Sequence, residues 1–307
     1  MIHTFVPTLE KPSDTSSAWY RNFHNSFYVS QLVNNVLLSY MDSFIEIVKL
    51  EEIIITNRQE LINKGILSFD DRFDITYLDR PKAYNYDVEQ GLKELVEKFR
   101  ATAKEHHHML HCMGVDIGGY MDREIDISLS ELQSSIDAED WYRVVKGFLN
   151  VWEFLFLFSI TESTLKTIVG DYKYNTTDLI SKIIKTNKKI EPEMCQNHNM
   201  NKPFMLSLWS LYTSLRNVYS HTHGVISIEN KQSLIVKGSA FKNEFEKAFH
   251  QDIMLSTLMV DTQDIFDFEN LSINKFYLIP DHELNIFRNF VSELMLVLDR
   301  LESEPGL

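Results

Sequence analysis

The segment from Ser214 to Gly224 is where residue types and spacing could do chemistry. Arg216 supplies a planar, permanently charged fork suited to a phosphate, and His221 and His223 supply imidazoles that exchange protons near neutral pH. Asn217, Tyr219 and Ser220 add neutral hydrogen-bonding groups between them. A fixed cation beside a proton carrier is the minimum equipment for cutting a phosphodiester: the cation offsets charge developing on the phosphate, and the imidazole moves the proton. Helical spacing sets a geometric condition. At about 100° per residue, Arg216, Tyr219, Ser220 and His223 share one face, whereas His221 lies about 140° from Arg216. Either the last turn unwinds before Gly224, or the two residues line opposite shoulders of a groove, or His223 shares the work.

Arg216-Asn217, three further residues and His221, placed between a long apolar helix and Gly224 with another long helix to follow, resemble the R-N-x3-H motif of the HEPN superfamily of helical ribonucleases. The resemblance covers roughly the second half of the chain. It implies a helical bundle that pairs as a homodimer, with both copies of the motif facing one cleft, and RNA as the substrate. Arg216 would steady the scissile phosphate, and His221 would serve as general base or acid toward the 2′-hydroxyl and the leaving oxygen. Asn217 would orient groups or bond the phosphate. Such cleavage uses the RNA's own 2′-hydroxyl and needs neither metal nor cofactor, leaving a 2′,3′-cyclic phosphate and a 5′-hydroxyl. The resemblance also implies a toxin or phage-defence effector with a neutralising or activating protein partner. One HEPN subgroup carries a tyrosine two residues after the histidine as the target of adenylylation; His223 stands there in this chain, which departs from that style of neutralisation.

Families of this kind often add an acidic residue from an earlier helix, and Glu153 and Glu162 are the two available. Glu153 has the more apolar neighbours, and a carboxylate buried among them needs a cation. Arg216 is a candidate for that cation, which would bring Glu153 into the catalytic set; a structural ion pair inside the bundle is the rival reading. His223, Tyr219, Ser220, Lys185 and Lys188 are expected on the substrate side.

The same residues have a plain structural role open to them, in which Arg216 and Asn217 cap a helix end and His221 and His223 satisfy its last carbonyls. The chain would then be a non-catalytic helical binding or scaffold protein. A third reading is a metal-dependent hydrolase built on His106, His107, His108, His111 and Cys112. His107 and His111 stand four apart, but no H-E-x-x-H pattern and no third ligand accompany them, so a solvated helix end accounts for them better.

A chain of 307 residues exceeds the usual span of one core, and with 20 Phe and 13 Tyr burial is not limiting. Only 10 Gly and 7 Pro punctuate it, which favours long helices. The apolar stretch from Val144 to Ile160 is interrupted by Lys146 and Glu153 and is expected to be a core helix, with no membrane involved. Cys112 and Cys195, far apart, form no disulfide framework and point to a reducing cytoplasmic setting. The net charge of −14 argues against a polyanionic partner as a whole. Between Lys166 and Gly224, however, eight basic residues face four acidic ones, which is the local balance an RNA-facing surface, or equally a solvated helix face, would have.

The elements that must position the motif follow from periodicity. Apolar spacing predicts helices over Ser26–Asn63, Asp87–Met113, Ser128–Ser135 and Asp137–Val169, and a loop over 66–84. A capped helix from Thr176 or Thr177 to Asn187 and a polar linker to Lys202 come next. Pro203 then starts a helix that runs into the motif. Val225–Ile228 and Ser233–Val236 read as a β-hairpin, 241–249 as a short helix, 258–260 and 275–279 as strands, and Asp281 as the cap of a closing helix. The expected architecture is mainly α: an N-terminal helical region over 1–125 with a regulatory or partner-binding role, and a HEPN-like bundle over 126–307 with a β insertion at about 225–279.

Overall fold

The computed structural model describes residues 9–42, 47–65, 67–69, 81–114, 134–136, 141–249 and 265–303, and over these the chain is mainly helical. The helices are α1 (Ala18–Asp42), α2 (Ile47–Asn63), α3 (Pro81–Cys112), α4 (Trp141–Val169), α5 (Leu179–Thr186), α6 (Ile190–His198), α7 (Lys202–Thr222), α8 (Ile228–Phe249) and α9 (Asp281–Ser303), with a 3₁₀ turn, Thr176–Asp178, before α5. No strand occurs among the described residues. Isolated bridges tie Phe276 to Ile136 and to Val225.

The helix that carries the motif forms where local chemistry asks for it. Asn201 accepts from the Phe204 N–H at 2.9 Å, satisfying a donor that has no partner within the helix, and Pro203 occupies the first turn. Phe204, Leu208, Leu211, Leu215 and Val218 recur at helical spacing and are buried. They face a column of rings in which Phe158 stacks on Trp209 at 5.0 Å between centroids, and Phe287 meets Tyr212 at 4.6 Å and Phe154 at 5.3 Å. Each such side chain contributes about 1.5–3 kcal/mol by leaving water, so α4, α7 and α9 are bound together by their aromatic faces.

Helix α1 belongs to the same core. Its Tyr20, Phe23 and Phe27 are buried there, and Asp299 of α9 holds its start by accepting from the Ser17 N–H, the Ser17 hydroxyl and the Ser16 hydroxyl, each at 2.8 Å. A smaller cluster of Ile136, Trp141, Tyr142 and Val144 packs with Ile53, Ile54 and Leu92 from α2 and α3. Among the described residues α4 is the one helix long and apolar enough to cross a membrane; half of that stretch is buried inside the fold. Gly147 lets α4 pass close to the chain after Phe276, because a Cβ there would stand 2.6 Å from that of Leu278.

Several expectations are corrected. The predicted hairpin is absent: residues 228–249 form α8, which buries Leu234, Phe241 and Phe245 while leaving Ile228 and Val236 exposed, a helical rather than a two-residue period. The extended character of Val225 and Ile226 goes instead into a short pairing, with Ile226 N–H on the Lys275 carbonyl at 3.0 Å and Asn274 N–H on the Ile226 carbonyl at 2.9 Å. Residues 275–279 are accordingly extended chain without a strand partner ladder. The polar linker holds α6, whose Ile190 and Met194 are buried one turn apart, too short a repeat for periodicity to register. The helix expected over Ser26–Asn63 corresponds to α1, which begins at Ala18, and α2, while α3 begins at Pro81 inside the expected loop. The domain boundary near residue 125, most of the Ser128–Ser135 helix and the 258–260 strand lie outside the described residues.

Candidate functional site

Helix α7 runs unbroken through Arg216, Asn217, Ser220 and His221 to Thr222. The last turn therefore does not unwind, and His221 keeps its helical place about 140° around the axis from Arg216. His223 is where the helix ends. It adopts the left-handed conformation (φ 54°, ψ 32°), uncommon outside glycine and more accessible to Asn, Asp and His than to other residues. Gly224 follows at φ 83°, its N–H reaching back to the Val218 carbonyl at 3.2 Å, and a Cβ at this position would collide with the Phe276 ring.

Asn217, Ser220, His221 and His223 are exposed. The Arg216 side chain retains 36% of its accessible surface; its Nη1 donates to Asn217 Oδ1 at 3.2 Å, and its Nη2 stands 3.9 Å from Glu162 Oε2. That leaves most of the guanidinium's donors open to an added anion. Glu162 is anchored more firmly by others, through Lys166 at 2.7 Å and a short hydrogen bond from the Thr176 hydroxyl. Burial alone would raise its pKa, but the hydrogen bonds of Lys166 and Thr176 and the charges of Lys166 and Arg216 outweigh it and hold the carboxyl below its ordinary value. Thr176 also takes the Trp209 indole N–H on its carbonyl at 2.7 Å. Arg216 is thereby placed on the side of α7 that faces α4 and the 3₁₀ turn leading to α5. Lys182 and Lys185 of α5, with Lys188 and Lys189 after it, are exposed.

Two expected site residues are elsewhere. Glu153 is not the partner of Arg216: it is 1% exposed and takes Arg288 of α9 in a two-point grip, Nε on Oε1 at 2.6 Å and Nη2 on Oε2 at 2.5 Å. Asn34 of α1 donates to the same carboxylate at 2.6 Å. The network continues through Lys146, which donates to Asn34 Oδ1 and lies 3.1 Å from Asp281, and through Asn150, which donates to Asp281 at 2.8 Å. Tyr219, expected at the substrate, is buried with its hydroxyl on the Tyr277 carbonyl at 2.9 Å. Both corrections have one cause, since position around the helix decides which side chains face inward and an apolar bundle supplies a buried charge with whichever cation lies across it.

Contacts with no sequence signal also appear. Lys237 of α8 donates a short hydrogen bond to Ser214, and burial lowers its pKa. At the end of α3, His108 Nε2 lies 3.7 Å from Cys112 Sγ, and His106, His108 and His111 are exposed. Among the described residues no group of three or more His, Cys, Asp or Glu is placed to hold a metal. Compared with protein families, with curated proteins and with solved structures, the chain finds no match.

Proposed function

We propose that the chain is a metal-independent endoribonuclease of HEPN type, acting in the cytoplasm as a homodimer and serving as a toxin or phage-defence effector under the control of a protein partner. The observation that carries it is the end of α7: a half-exposed arginine with open donors beside exposed Asn217, Ser220, His221 and His223, on a helix rooted in an aromatic bundle. Arg216 holds the scissile phosphate, with Asn217 beside it. His221 removes the 2′-hydroxyl proton as that oxygen attacks phosphorus, and the P–O5′ bond breaks. A second imidazole gives the departing 5′-oxygen its proton. Lys185 and Lys188 take the flanking backbone. Because Arg216 and His221 diverge around α7, the reading pairs Arg216 of one copy with the imidazole of the other.

Purified protein is incubated with total RNA in EDTA. Cleavage ending in 2′,3′-cyclic phosphates, reduced about 10²- to 10⁴-fold in Arg216→Ala and in His221→Ala with folding intact, is the expected result. Mixing the two inactive variants restores cleavage if the site is shared between copies. RNA left intact by wild type, with activating conditions supplied by expression in a host infected by phage, favours the second reading. In that reading the chain is a helical binding scaffold and Arg216 serves only its contacts with Asn217 and Glu162.

A further inference from the structure

Because Arg216 and His221 diverge around α7, the motif itself puts no cation on the imidazole's side of the helix. The next helix supplies one. After the turn at 223–227, α8 runs back along α7: Asn230 Nδ2 donates to the Thr222 hydroxyl at 3.1 Å, the Lys237 ammonium donates to the Ser214 hydroxyl, and the Phe241 ring meets that of Phe204 at 5.3 Å between centroids. Buried Leu234 and Phe241 hold this pairing. Gly238 presses α8 onto the Phe268 ring, from which a Cβ would stand 2.7 Å. Lys237 is therefore held in place by packing on either side of it.

Ser214 precedes His221 by two turns and lies within about 20° of it around α7, whereas Arg216 lies about 160° from Ser214. Lys237 and Arg216 thus flank α7 on opposite sides, and His221 stands on the side of Lys237. Asn217 lies between, its carbonyl oxygen taken by Arg216 and its NH₂ left to donate. Ser214 is fully used, accepting from Lys237 and donating to the Ser210 carbonyl at 3.2 Å, while the ammonium has two further donors. Among the described residues no carboxylate pairs with it; Glu244, two turns on along the same face of α8, is held by Lys247 at 2.6 Å. By contrast, Lys146, Lys166 and Arg288 each meet a carboxylate. Lys237 is half-buried, and that burial with no counter-charge lowers its pKa. An ammonium that meets only a hydroxyl is left short of an anion, and the exposed surface beside it carries Asn217 and His221.

We propose that Lys237 holds a phosphate of the RNA strand on the His221 side of α7, the one next to the scissile phosphate. The ligand is taken from the ribonuclease reading above; the placement of the ammonium does not depend on it. From Ser214 to His221 the helix rises about 10 Å, more than one phosphate group spans, so a strand with its scissile phosphate at the imidazole brings the neighbouring one to the ammonium. Asn217 donates to the strand between the two. Ser214 is a positioning residue: its hydroxyl fixes the long lysine side chain in advance, which reduces the rotamer entropy lost on binding. In a chain of net charge −14, a cation with no carboxylate of its own is where a polyanion can be met.

Fluorescence anisotropy with a 2′-O-methyl oligoribonucleotide, which cannot be cut through its 2′-oxygen, measures binding by the full chain whether or not it is a nuclease. Across a KCl series, each phosphate contact to a single strand adds about 0.7 to the slope of log affinity against log salt. Lys237→Gln is expected to bind more weakly and with a slope shallower by about 0.7, and Lys237→Arg to keep the wild-type slope. Ser214→Ala is expected to weaken binding with the slope unchanged, because the charge remains. In wild type the Lys237 ¹³Cε resonance is expected to shift with the oligonucleotide and not with inorganic phosphate at the same concentration, a measurement that needs no variant to fold. Equal slopes in wild type and Lys237→Gln, no binding by wild type, or an equal shift with inorganic phosphate overturns the assignment. Binding with the expected slopes but no cleavage of total RNA leaves the phosphate contact standing and removes the ribonuclease reading alone; cleavage with equal slopes does the reverse.

Discussion

Two arginine–glutamate pairs sit on the same bundle and have opposite characters. Arg288 and Glu153 meet at 2.5 Å through a two-point grip with side chains 8% and 1% exposed, and Asn34 and Asn285 fill the remaining donor and acceptor positions. Arg216 and Glu162 stand 3.9 Å apart with 36% and 14% exposed, and Glu162 is already occupied by Lys166 and Thr176. The first pair is closed, since every charge has its counter-group inside the fold and a ligand has nothing to add. The second is open, since the guanidinium keeps most of its donors in contact with solvent. Chemical type does not separate the pairs; only the depth of the helix face and the number of competing partners do.

The comparison can be broken most severely at Arg288. Arg288→Ala leaves Glu153 buried without its cation and is expected to destabilise the fold by about 3–5 kcal/mol in urea titration. A loss under about 1 kcal/mol would mean that Glu153 is not closed off and that the contrast fails.

Glu283 of α9 comes next: it is 2% exposed and accepts from the Phe266 N–H and the Tyr277 hydroxyl, with the charge of Lys242 too weak to offset its burial. Its pKa in the folded chain is about 8, above the ordinary value of 4.5, so the folded state binds more protons than the unfolded state between those limits. Its contribution is fully present below about pH 4.5 and is lost as pH rises toward 8, a fall on the order of a few kcal/mol. Denaturation midpoints measured across that window are expected to decline in wild type and to decline less in Glu283→Gln; parallel slopes would count against the assignment.

The smallest effect is expected at the open pair. Glu162→Gln is predicted to change stability by less than about 1 kcal/mol, as pairs near the surface do. Because its pKa is lowered, what Glu162 contributes is present above its ordinary value and lost as pH falls through the lowered one, the opposite sign to Glu283. A loss as large as that of Arg288→Ala would place Arg216 in a closed structural network and remove the main support for its role at a phosphate.

Some of the site was legible because its signals are local. The Asn201 and Pro203 start of α7, its apolar stripe and the Gly224 stop lie within a few residues of the bonds they make. Glu153 and Glu162 were identifiable as the acidic candidates, yet their partners were not, because Arg288 is 135 residues from Glu153 and nothing in either neighbourhood encodes the other. The two short apolar runs of 225–236 read as a hairpin for a related reason: a run of three or four residues is too short for its period to tell helix from strand, and packing against α7 decided between them. Of residues 265–279, only the apolar run 275–279 left a pattern, and it read as a strand; that Tyr277 within it bonds the buried Glu283 depends on packing that no local pattern encodes.

By itself the sequence determined that the chain is mainly helical and that a helix started by Asn201 and Pro203 runs into the Arg216 motif and stops before Gly224, since these follow from bonding and sterics over one or two turns. Tertiary structure decided which acid each arginine meets, that Tyr219 faces inward, that the last turn of α7 stays wound so that Arg216 and His221 keep the divergence helical spacing gives them, and that Glu283 is buried beside Tyr277. Those outcomes depend on which helix faces pack together, and the free energy that selects the packing comes from the whole aromatic core rather than from any segment of it.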